Sequence, residues 1–291
     1  MEMNQKQEIM RRDITYIQGV QMEEAAEILR HSFFRDEQME LTEREIRNEA
    51  ELKQVFQDWL EYWRFERCLS EFHAFTGRDM FYYYGKCAVC NSSQPFIADY
   101  QFAGEENGVP RINWRERLVC PNCGCNNRQR FMLQKVFERY EPGMQVLLYE
   151  QSTEAFKRIQ REIPDVAGFE PVRGDRGSEE GIQYQDICRL EYPDEEFELL
   201  VSNDVFSETG EYEKAFREAA RVLKPGGRMI FTVPFDGNSQ TSEDRGNVVV
   251  FGWDLRETMK KCGFRDVCCR VYYGLREGYL GYLPMYFEAL K

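Results

Sequence analysis

The sequence predicts an α/β protein with a doubly wound, mainly parallel sheet, a zinc ribbon and an α-helical N-terminal extension. The sheet is indicated by two apolar runs of strand length, residues 197–201 and 229–233, which enclose a stretch with helical spacing. A strand, a helix and a strand joined by short connections form a parallel, right-handed crossover. Two CxxC pairs indicate the ribbon, and a charged first part with helical periodicity indicates the extension.

Length and composition limit the possible functions. The chain has 291 residues, enough for one full α/β domain and a smaller unit. Its net charge of −13 disfavours a general nucleic-acid or anionic-membrane surface, because both partners are themselves negative. No run of about 18 apolar residues is present, so we expect no membrane span. Ten cysteines and an N-terminus without an apolar signal core predict a reducing, cytoplasmic location.

Residues 1–80 are predicted to form the charged helical extension. One helical face combines Ala25, Ala26, Leu29 and Phe33. A second combines larger apolar residues, namely Leu52, Val55, Phe56, Trp59, Leu60 and Trp63. The simpler interpretation is a cap packed on the neighbouring domains. The alternative is a lid that binds substrate or a protein partner through its aromatic residues, Trp59, Tyr62, Trp63 and Phe65.

Residues 81–127 are predicted to form a zinc-ribbon-like unit. Cys87, Cys90, Cys120 and Cys123 make two CxxC pairs separated by 29 residues. A tight turn at each pair would supply two thiolates to a tetrahedral zinc ion, and four thiolates leave no open position, so the metal would be structural. The alternative is four unligated core cysteines. Cys125 lies close enough in sequence to replace one ligand.

Residues 128–291 are predicted to form the α/β domain. Apolar runs predict strands at residues 145–149, 166–169, 182–185, 197–201 and 229–233. Periodicity predicts helices that start at Asn126 or Asn127, at residue 153, at residue 212 and at residue 255, the third of them ended by Pro225-Gly226-Gly227. The last two strands, residues 265–273 and 285–290, are expected to form an antiparallel pair.

The order of several short motifs resembles the second half of class I S-adenosylmethionine-dependent methyltransferases, whose sheet is Rossmann-like. The motifs are Asp186-Ile187, PDEEFELLVSNDVF, RVLKPGG and a strand that ends in Pro234. The run NWRERLVCPNCGCNNRQR resembles a bacterial group of these enzymes with an N-terminal pair of cysteine knuckles. The resemblance covers roughly residues 81–291. It implies S-adenosylmethionine as the cofactor and a small-molecule or sugar acceptor.

In such enzymes a glycine-rich turn follows the first strand, because glycine allows the backbone to approach the cofactor. This chain has Glu150, Gln151, Ser152 and Thr153 there, with no glycine. Gln151, Ser152 and Thr153 can still donate to a carboxylate at the start of the following helix, so residues 150–152 are predicted to bind the cofactor. The alternative is a turn that only caps the helix beside a closed pocket.

The resemblance also implies the remaining cofactor-binding residues. Glu170, at the end of the second strand, would accept hydrogen bonds from the ribose hydroxyls. Asp186 would accept from the adenine amino group while the backbone of Ile187 approaches the ring. The alternative for Asp186 is a turn cap. Asn203 ends the fourth strand, at the carboxyl edge where open α/β sheets bind ligands.

Asp204 and Glu208 are the candidate catalytic bases. Ser207 and Glu208 stand where the pattern of the family has an acid and a histidine, so no imidazole is expected in the pocket. One carboxylate is sufficient for a hydroxyl or amine acceptor, because methyl transfer from a sulfonium requires mainly alignment and the exclusion of water. Loop capping explains either carboxylate without chemistry.

Three functions remain open at this point. The first is methyl transfer to a small-molecule or sugar acceptor. The second is an inactive binding or scaffold protein, because the glycine-rich turn and the histidine are missing. The third is a zinc-containing nucleic-acid modifier, suggested by the arginines near the ribbon, Arg111, Arg115, Arg117, Arg128 and Arg130. The acidic net charge and the lack of a Pro-Pro-aromatic sequence after Asp204 place it last.

Overall fold

The computed structural model describes residues 41–60, 62–63, 66–67, 69–70, 79–106, 108–172, 181–237, 240–243, 248–281 and 284–291. The helical face predicted around Ala25 and Phe33, and the aromatic residue Phe65, lie outside these ranges. Within the ranges, no helix is both long enough and apolar enough to cross a membrane.

Strands and helices alternate in the second half of the chain. The strands in the described ranges are β1 Thr42–Ile46, β2 Met80–Cys87, β3 Ser92–Asp99, β4 Gly104–Glu106, β5 Val109–Arg111, β6 Val146–Leu148, β7 Val166–Gly168, β8 Glu170–Pro171, β9 Tyr184–Gln185, β10 Phe197–Asn203, β11 Leu223–Thr232, β12 Ser242–Glu243, β13 Val249–Val250, β14 Asp266–Tyr273 and β15 Met285–Leu290. The helices there are α1 Glu49–Asp58, α2 Asn127–Arg139, α3 Glu154–Glu162, α4 Tyr212–Val222 and α5 Leu255–Lys261, and a 3-10 turn covers Val205–Glu208.

The chain forms two compact units, each built from separate stretches of sequence. The first contains the described residues of Met1–Thr42, Phe56–Arg128 and Tyr272–Pro284. The second contains Glu43–Val55, Gln129–Val271 and Met285–Lys291. The division after Arg128 lies next to the predicted boundary at residue 127, whereas residues 43–55 join the second unit and residues 272–284 return to the first.

The second unit is built on a seven-stranded sheet with the order β1-β14-β15-β11-β10-β6-β7. Strands β11, β10, β6 and β7 are parallel, and β14 and β15 form the predicted antiparallel pair. From β6 the chain moves to β7 on one side, and it later returns to β10 and β11 on the other. The connections therefore change direction between β6 and β10, where doubly wound sheets bind ligands at the carboxyl edge.

Strand β1 lies in the region that the sequence predicts to be helical, so that prediction is wrong for residues 42–46. Its sequence, TEREI, is mostly charged and offers no apolar alternation. Edge pairing needs backbone groups more than apolar side chains. The Glu43 carboxylate accepts hydrogen bonds from Lys135 and Tyr286, and Ile46 is buried, so the strand is also anchored through its side chains.

Helix α3 packs directly against β7 below the carboxyl edge. Thr153 begins the helix, and its side chain accepts a hydrogen bond of 3.2 Å from the backbone of Phe156. Phe156 and Ile159 form its buried face. A Cβ atom at Gly168 would lie 2.2 Å from the Phe156 ring, so the helix can approach β7 only because residue 168 is glycine.

In the first unit, residues 272–284 complete a structure that begins with the hairpin β2–β3. The hydroxyl of Tyr83 donates to the carbonyl of Leu275 at 2.7 Å, and the backbone N–H of Lys86 donates to that of Arg276 at 2.6 Å. The Asn127 side chain donates to the carbonyl of Leu280 at 2.7 Å. The sequence analysis missed both β2 and these long-range bonds.

Residues of the predicted aromatic lid pack inside the first unit. Trp59 and Trp63 are buried, and the ring of Tyr62 stacks on Tyr273 with centroids 4.6 Å apart. Glu66 is also buried there, and its carboxylate accepts a hydrogen bond of 2.8 Å from the backbone N–H of Gly281. Burial raises the pKa of Glu66 to about 8. For these residues the structure favours the packed cap over an exposed lid.

Candidate functional site

The ends of β6 and β10 bring two predicted site residues together. Leu148 and Val201 are register partners in these parallel strands, so Glu150 and Asn203 leave the sheet side by side. The Asn203 amide donates a hydrogen bond to the Glu150 carboxylate. Since this bond uses the amide nitrogen, the amide oxygen of Asn203 remains, and it is buried without a partner among the described residues.

The turn after β6 is held by the carboxylate of Glu170. One oxygen of Glu170 accepts hydrogen bonds from the backbone N–H groups of Gln151, at 2.7 Å, and Ser152, at 2.6 Å. The second oxygen has no hydrogen-bond partner in the described part of the chain, and Glu170 is partly accessible. The carboxylate therefore fixes the glycine-free turn and keeps one oxygen available for a ligand.

The side chain of Gln151 has partners that the sequence did not predict. Its amide oxygen accepts a hydrogen bond of 2.6 Å from the backbone N–H of Gln183, and its amide nitrogen donates to the carbonyl of Gly181 at 3.3 Å. The sequence analysis expected this side chain to donate to a cofactor carboxylate. The side chain of Ser152 is exposed and forms no hydrogen bond within the described residues.

Strand β9 carries Asp186 to the same region. It pairs in parallel with β8 in a two-stranded ladder that is separate from the main sheet. One oxygen of the exposed Asp186 accepts a hydrogen bond of 2.8 Å from the N–H of Cys188, as in a turn cap, and Ile187 is buried. The structure therefore brings Glu170 and residues 150–152 close to residues 181–184, which lead into Asp186.

The two candidate bases differ in their surroundings. Asp204 follows β10 with a left-handed backbone (φ 60°), which aspartate tolerates better than most residues. Its backbone N–H donates to the carbonyl of Thr232 at 3.0 Å, and its carbonyl accepts a 2.6 Å hydrogen bond from the Ser207 hydroxyl. Asp204 is half-buried, whereas Glu208, in the following 3-10 turn, is exposed. Asp204 is the candidate base that lies closer to the carboxyl edge.

Thr232 is a residue of this edge that the sequence analysis missed. It ends β11 and is the register partner of Asn203, so the two side chains share one face of the sheet. Its hydroxyl is buried without a hydrogen-bond partner among the described residues. Buried polar atoms are nearly always hydrogen-bonded. The sequence signal that could have identified Thr232 is its position directly before Val233 and Pro234, at the end of a predicted strand.

The four cysteines of the two CxxC pairs form one cluster in the first unit. All four sulfur atoms lie within 4.8 Å of one another. Cys87 and Cys123 are 3.9 Å apart, and Cys90 and Cys120 are 3.8 Å apart. A tetrahedron with Zn–S bonds of about 2.3 Å has sulfur atoms about 3.8 Å apart, so the geometry fits a zinc ion. These positions fit a metal better than four separate core cysteines.

The local backbone explains how each pair presents two thiols. Asn91 follows the first pair and Gly124 follows the second, and both have left-handed φ angles, 50° and 72°. The N–H of Gly124 donates to the carbonyl of Cys120 at 2.9 Å and closes its turn. Cys125 lies outside the cluster, and its thiol donates to the carbonyl of Cys123 at 3.6 Å.

The cysteine cluster stabilises a thiolate. Hydrogen bonds with the thiols of Cys123 and Cys87 lower the pKa of Cys120. Hydrogen bonds with Cys120 and Cys123, together with burial, raise the pKa of Cys87. Metal ions bind the thiolate form of cysteine, so the cluster is prepared for a cation.

The arginines near the ribbon are engaged in ion pairs. Arg115 and Arg128 both pair with Glu116, at 2.6 Å and 2.8 Å, and Arg117 pairs with Asp99. Nucleic-acid binding requires cations that can replace the counterions of phosphates. Two carboxylates thus engage these three arginines and offset most of their charge, which disfavours a nucleic-acid surface here.

One family model matches part of the α/β unit. Residues 126–231, which run from the start of α2 into β11, match a family model described as a methyltransferase domain. This stretch contains residues 150–152, Glu170, Asp186, Asn203 and Asp204. Its α/β fold and this match agree with a methyltransferase domain.

Individual relatives match only in part. The arsenite methyltransferase of Aquipseudomonas alcaligenes is 31% identical over 91 residues, which cover 28% of this chain and 26% of that protein. The sarcosine/dimethylglycine N-methyltransferase of Halorhodospira halochloris is 34% identical over 84 residues, which cover 26% of this chain and 30% of that protein. The match thus spans less than a third of the length of these curated relatives.

Two solved structures are similar to larger parts of the chain. One is a complex of the Haloferax volcanii Trm112 methyltransferase activator and a methyltransferase, with 16% identity, coverage of 56% of this chain and 90% of that chain, and a TM-score of 0.43. The other is a methyltransferase from Thermotoga maritima, described as a possible histamine N-methyltransferase, with 20% identity, coverage of 57% and 91%, and a TM-score of 0.39.

Proposed function

We propose that this protein is a class I S-adenosylmethionine-dependent methyltransferase with a structural zinc ion. The observation that carries the proposal is the position of Glu170. It follows the second parallel strand of a sequence stretch that matches a methyltransferase domain, and it has one carboxylate oxygen without a partner among the described residues. A partly accessible carboxylate oxygen at this edge suits the hydroxyls of a ribose.

The residues at the carboxyl edge fit the chemistry of this cofactor. Glu170 would accept from the ribose, and the second oxygen of Asp186 would accept from the adenine amino group beside the backbone of Ile187. Asn203 and Glu150 would lie at the methionine end, where acceptor oxygens suit an ammonium group. The cofactor supplies a methyl group on a sulfonium, which a nucleophile can attack without covalent help from the protein.

Asp204 is proposed as the base that receives the proton of the acceptor. The bound cofactor would supply its methyl group to the oxygen or nitrogen of an aligned acceptor and would be released as S-adenosylhomocysteine. The proton of the attacking hydroxyl or amine then goes to the Asp204 carboxylate. The exposed Glu208 is the alternative base. The protein's further contribution is to align the acceptor with the methyl group and to exclude water.

The acceptor is proposed to be a small molecule, with a sugar among the options. The relatives, whose names specify arsenite and sarcosine or dimethylglycine, support a small acceptor. A nucleic-acid acceptor is disfavoured by the paired arginines and by the net charge of −13. Residues 1–80 remain the proposed region for a protein partner, and the proposed location is the cytoplasm.

Zinc is proposed at Cys87, Cys90, Cys120 and Cys123, on the basis of the distances between their sulfur atoms. Four thiolates complete a tetrahedral shell and leave no position for water or substrate. The zinc ion would therefore stabilise the first unit and take no part in methyl transfer.

An inactive scaffold is the second candidate, and the glycine-free turn is the observation that favours it. Calorimetric titration of the zinc-loaded protein with S-adenosylmethionine and S-adenosylhomocysteine is the decisive experiment. We expect both to bind with similar affinity, because the proposed contacts do not involve the methyl group. If neither ligand binds to the folded protein, the proposed enzymatic function is refuted. Binding without formation of S-adenosylhomocysteine across a panel of amines, hydroxyl compounds and arsenite would favour the scaffold.

A further inference from the structure

We propose that Gln151 is a positioning residue that fixes residues 181–183, and through them Asp186, against the turn after β6. This inference rests on the proposed function, since it assigns Asp186 to the adenine side of the cofactor site. It differs from the expectation that the Gln151 side chain binds the methionine carboxylate directly.

Both ends of the Gln151 amide are used in this link. The oxygen accepts from the N–H of Gln183 at 2.6 Å, and the nitrogen donates to the carbonyl of Gly181 at 3.3 Å. The backbone N–H of Gln151 donates to Glu170 at 2.7 Å. One residue thus connects three pieces of the candidate site that are far apart in the sequence.

The linked segment has few other supports. Strands β8 and β9 form only two residue pairs, Glu170 with Tyr184 and Pro171 with Gln185. Two-stranded ladders are marginally stable by themselves. The carbonyl of Gln183 accepts a hydrogen bond from the N–H of Glu170 at 2.7 Å. The Gln151 side chain binds the N–H of the same residue, so both backbone polar groups of Gln183 are held. Asp186 follows β9 directly, and a shift of β9 would move it.

The link between Gln151 and residues 181–183 gives the glycine-free turn a function. A glycine at position 151 would leave space for a ligand but could not hold residues 181–183. Glutamine has the length to reach across and an amide that matches one backbone donor and one backbone acceptor. The side chain therefore stabilises the adenine side of the site before the cofactor arrives.

Ligand fragments separate positioning from direct contact with the methionine carboxylate. S-adenosylhomocysteine contains both the adenosine part and the amino-acid part, whereas adenosine contains only the former. If Gln151 positions the adenine side, its loss weakens the binding of both ligands by a similar factor. If it binds the carboxylate, only S-adenosylhomocysteine is affected.

The experiment compares three variants of the full-length, zinc-loaded protein by calorimetry. Gln151→Met has similar length but loses both hydrogen bonds, and we expect both ligands to bind about five- to tenfold more weakly. Gln151→Glu keeps the acceptor for Gln183 and should lose less affinity. Gln160→Met is the matched control, because it is the same change at an exposed glutamine of α3 whose side chain forms no hydrogen bond in the described structure, and its affinities should not change. The proposal would be overturned if Gln151→Met lost affinity for S-adenosylhomocysteine alone, or lost affinity for neither ligand.

Amide hydrogen exchange tests the same link without any ligand. The N–H of Gln183 should exchange several-fold faster in Gln151→Met than in the wild type, and Gln151→Glu should retain most of the protection. Unchanged exchange would refute the positioning role. If the wild type binds neither adenosine nor S-adenosylhomocysteine, the proposed function fails, while the exchange result still decides whether Gln151 positions residues 181–183.

Discussion

Glu170 and Ser152 are joined by a hydrogen bond of 2.6 Å from the backbone N–H of Ser152 to the Glu170 carboxylate. The bond connects the end of the second parallel strand with the turn that follows the first. The same carboxylate oxygen also accepts from the N–H of Gln151, so Glu170 holds the backbone of this turn in one conformation. Glu170 therefore has a structural role in addition to its proposed contact with the ribose.

Replacement of Glu170 should separate these two roles. Glu170→Ala removes both, so we expect the binding of S-adenosylhomocysteine to weaken by at least about 1 kcal/mol, or roughly fivefold. Glu170→Gln keeps an oxygen for the turn and should have an intermediate effect. Calorimetry measures both, with Glu141→Ala, on an exposed turn of the same unit, as the control. Unchanged affinity in a folded Glu170→Ala protein would remove Glu170 from the site.

Zinc content should depend on Cys120 and not on Cys125. We expect about one equivalent of zinc in protein purified without chelator, because four thiolates form a closed tetrahedral shell. Cys120→Ser should reduce this value and lower the melting temperature, since metal binding contributes to folding. Cys125→Ala should retain the zinc, because its sulfur lies outside the cluster. Elemental analysis that finds less than about half an equivalent in the wild type would contradict the site.

Stability should fall with rising pH because of Glu66. Its pKa is about 8 in the folded protein and near 4.5 when it is exposed, so the folded state holds this proton more tightly. The resulting stabilisation is fully present below pH 4.5 and is lost as the pH rises to about 8, with a slope of at most roughly 1.4 kcal/mol per pH unit. The nearby hydroxyl of Tyr273 stays protonated in this range, because burial raises its pKa well above the ordinary value.

Glu66→Gln is the variant that tests this pH dependence. Glutamine resembles the protonated acid and can still accept from the N–H of Gly281, so the variant should lose most of the slope between pH 5 and pH 8. It should also be more stable than the wild type at pH 8.5 and similar to it at pH 4.5. Thermal unfolding across this range measures the difference. Parallel curves for the two proteins would show that Glu66 titrates normally.

Gly168→Ala should destabilise the second unit by about 1–3 kcal/mol, because the new methyl group would overlap the Phe156 ring. The same substitution in a Phe156→Leu background should cost less, since leucine leaves room for the methyl group. Denaturant unfolding of the four proteins in this cycle gives the coupling between the two positions. Equal costs in both backgrounds would show that the contact with Phe156 does not require glycine.

The sequence predicted the central elements because their apolar pattern is strong. Helix α4 has a continuous buried face, and β10, β14 and β15 are rich in apolar residues, so period and composition were sufficient. The prediction was least accurate where the pattern is weak. Strand β1 is charged, and β2 exposes Tyr82 and Tyr84 on its outer face.

The membership of the site stays a prediction. The structure places Asn203 at the carboxyl edge of the main sheet and Asp186 after β9, in the separate ladder with β8. The partners of Gln151 lie 30 and 32 residues away, and nothing in the local sequence encodes which backbone groups a glutamine amide will meet. Hydrogen bonds of this kind depend on the register of β8 and β9, which two-residue strands do not reveal.

The return of residues 272–284 to the first unit has a consequence for synthesis of the chain. The contacts of Tyr83, Lys86 and Asn127 with residues 275–280 can form only after those residues have left the ribosome. The four cysteines of the cluster lie within residues 87–123, but the surface that residues 275–281 cover stays open until those residues have also emerged. A nascent chain at that stage offers apolar surface to chaperones, and truncation just before residue 272 would make this exposure permanent.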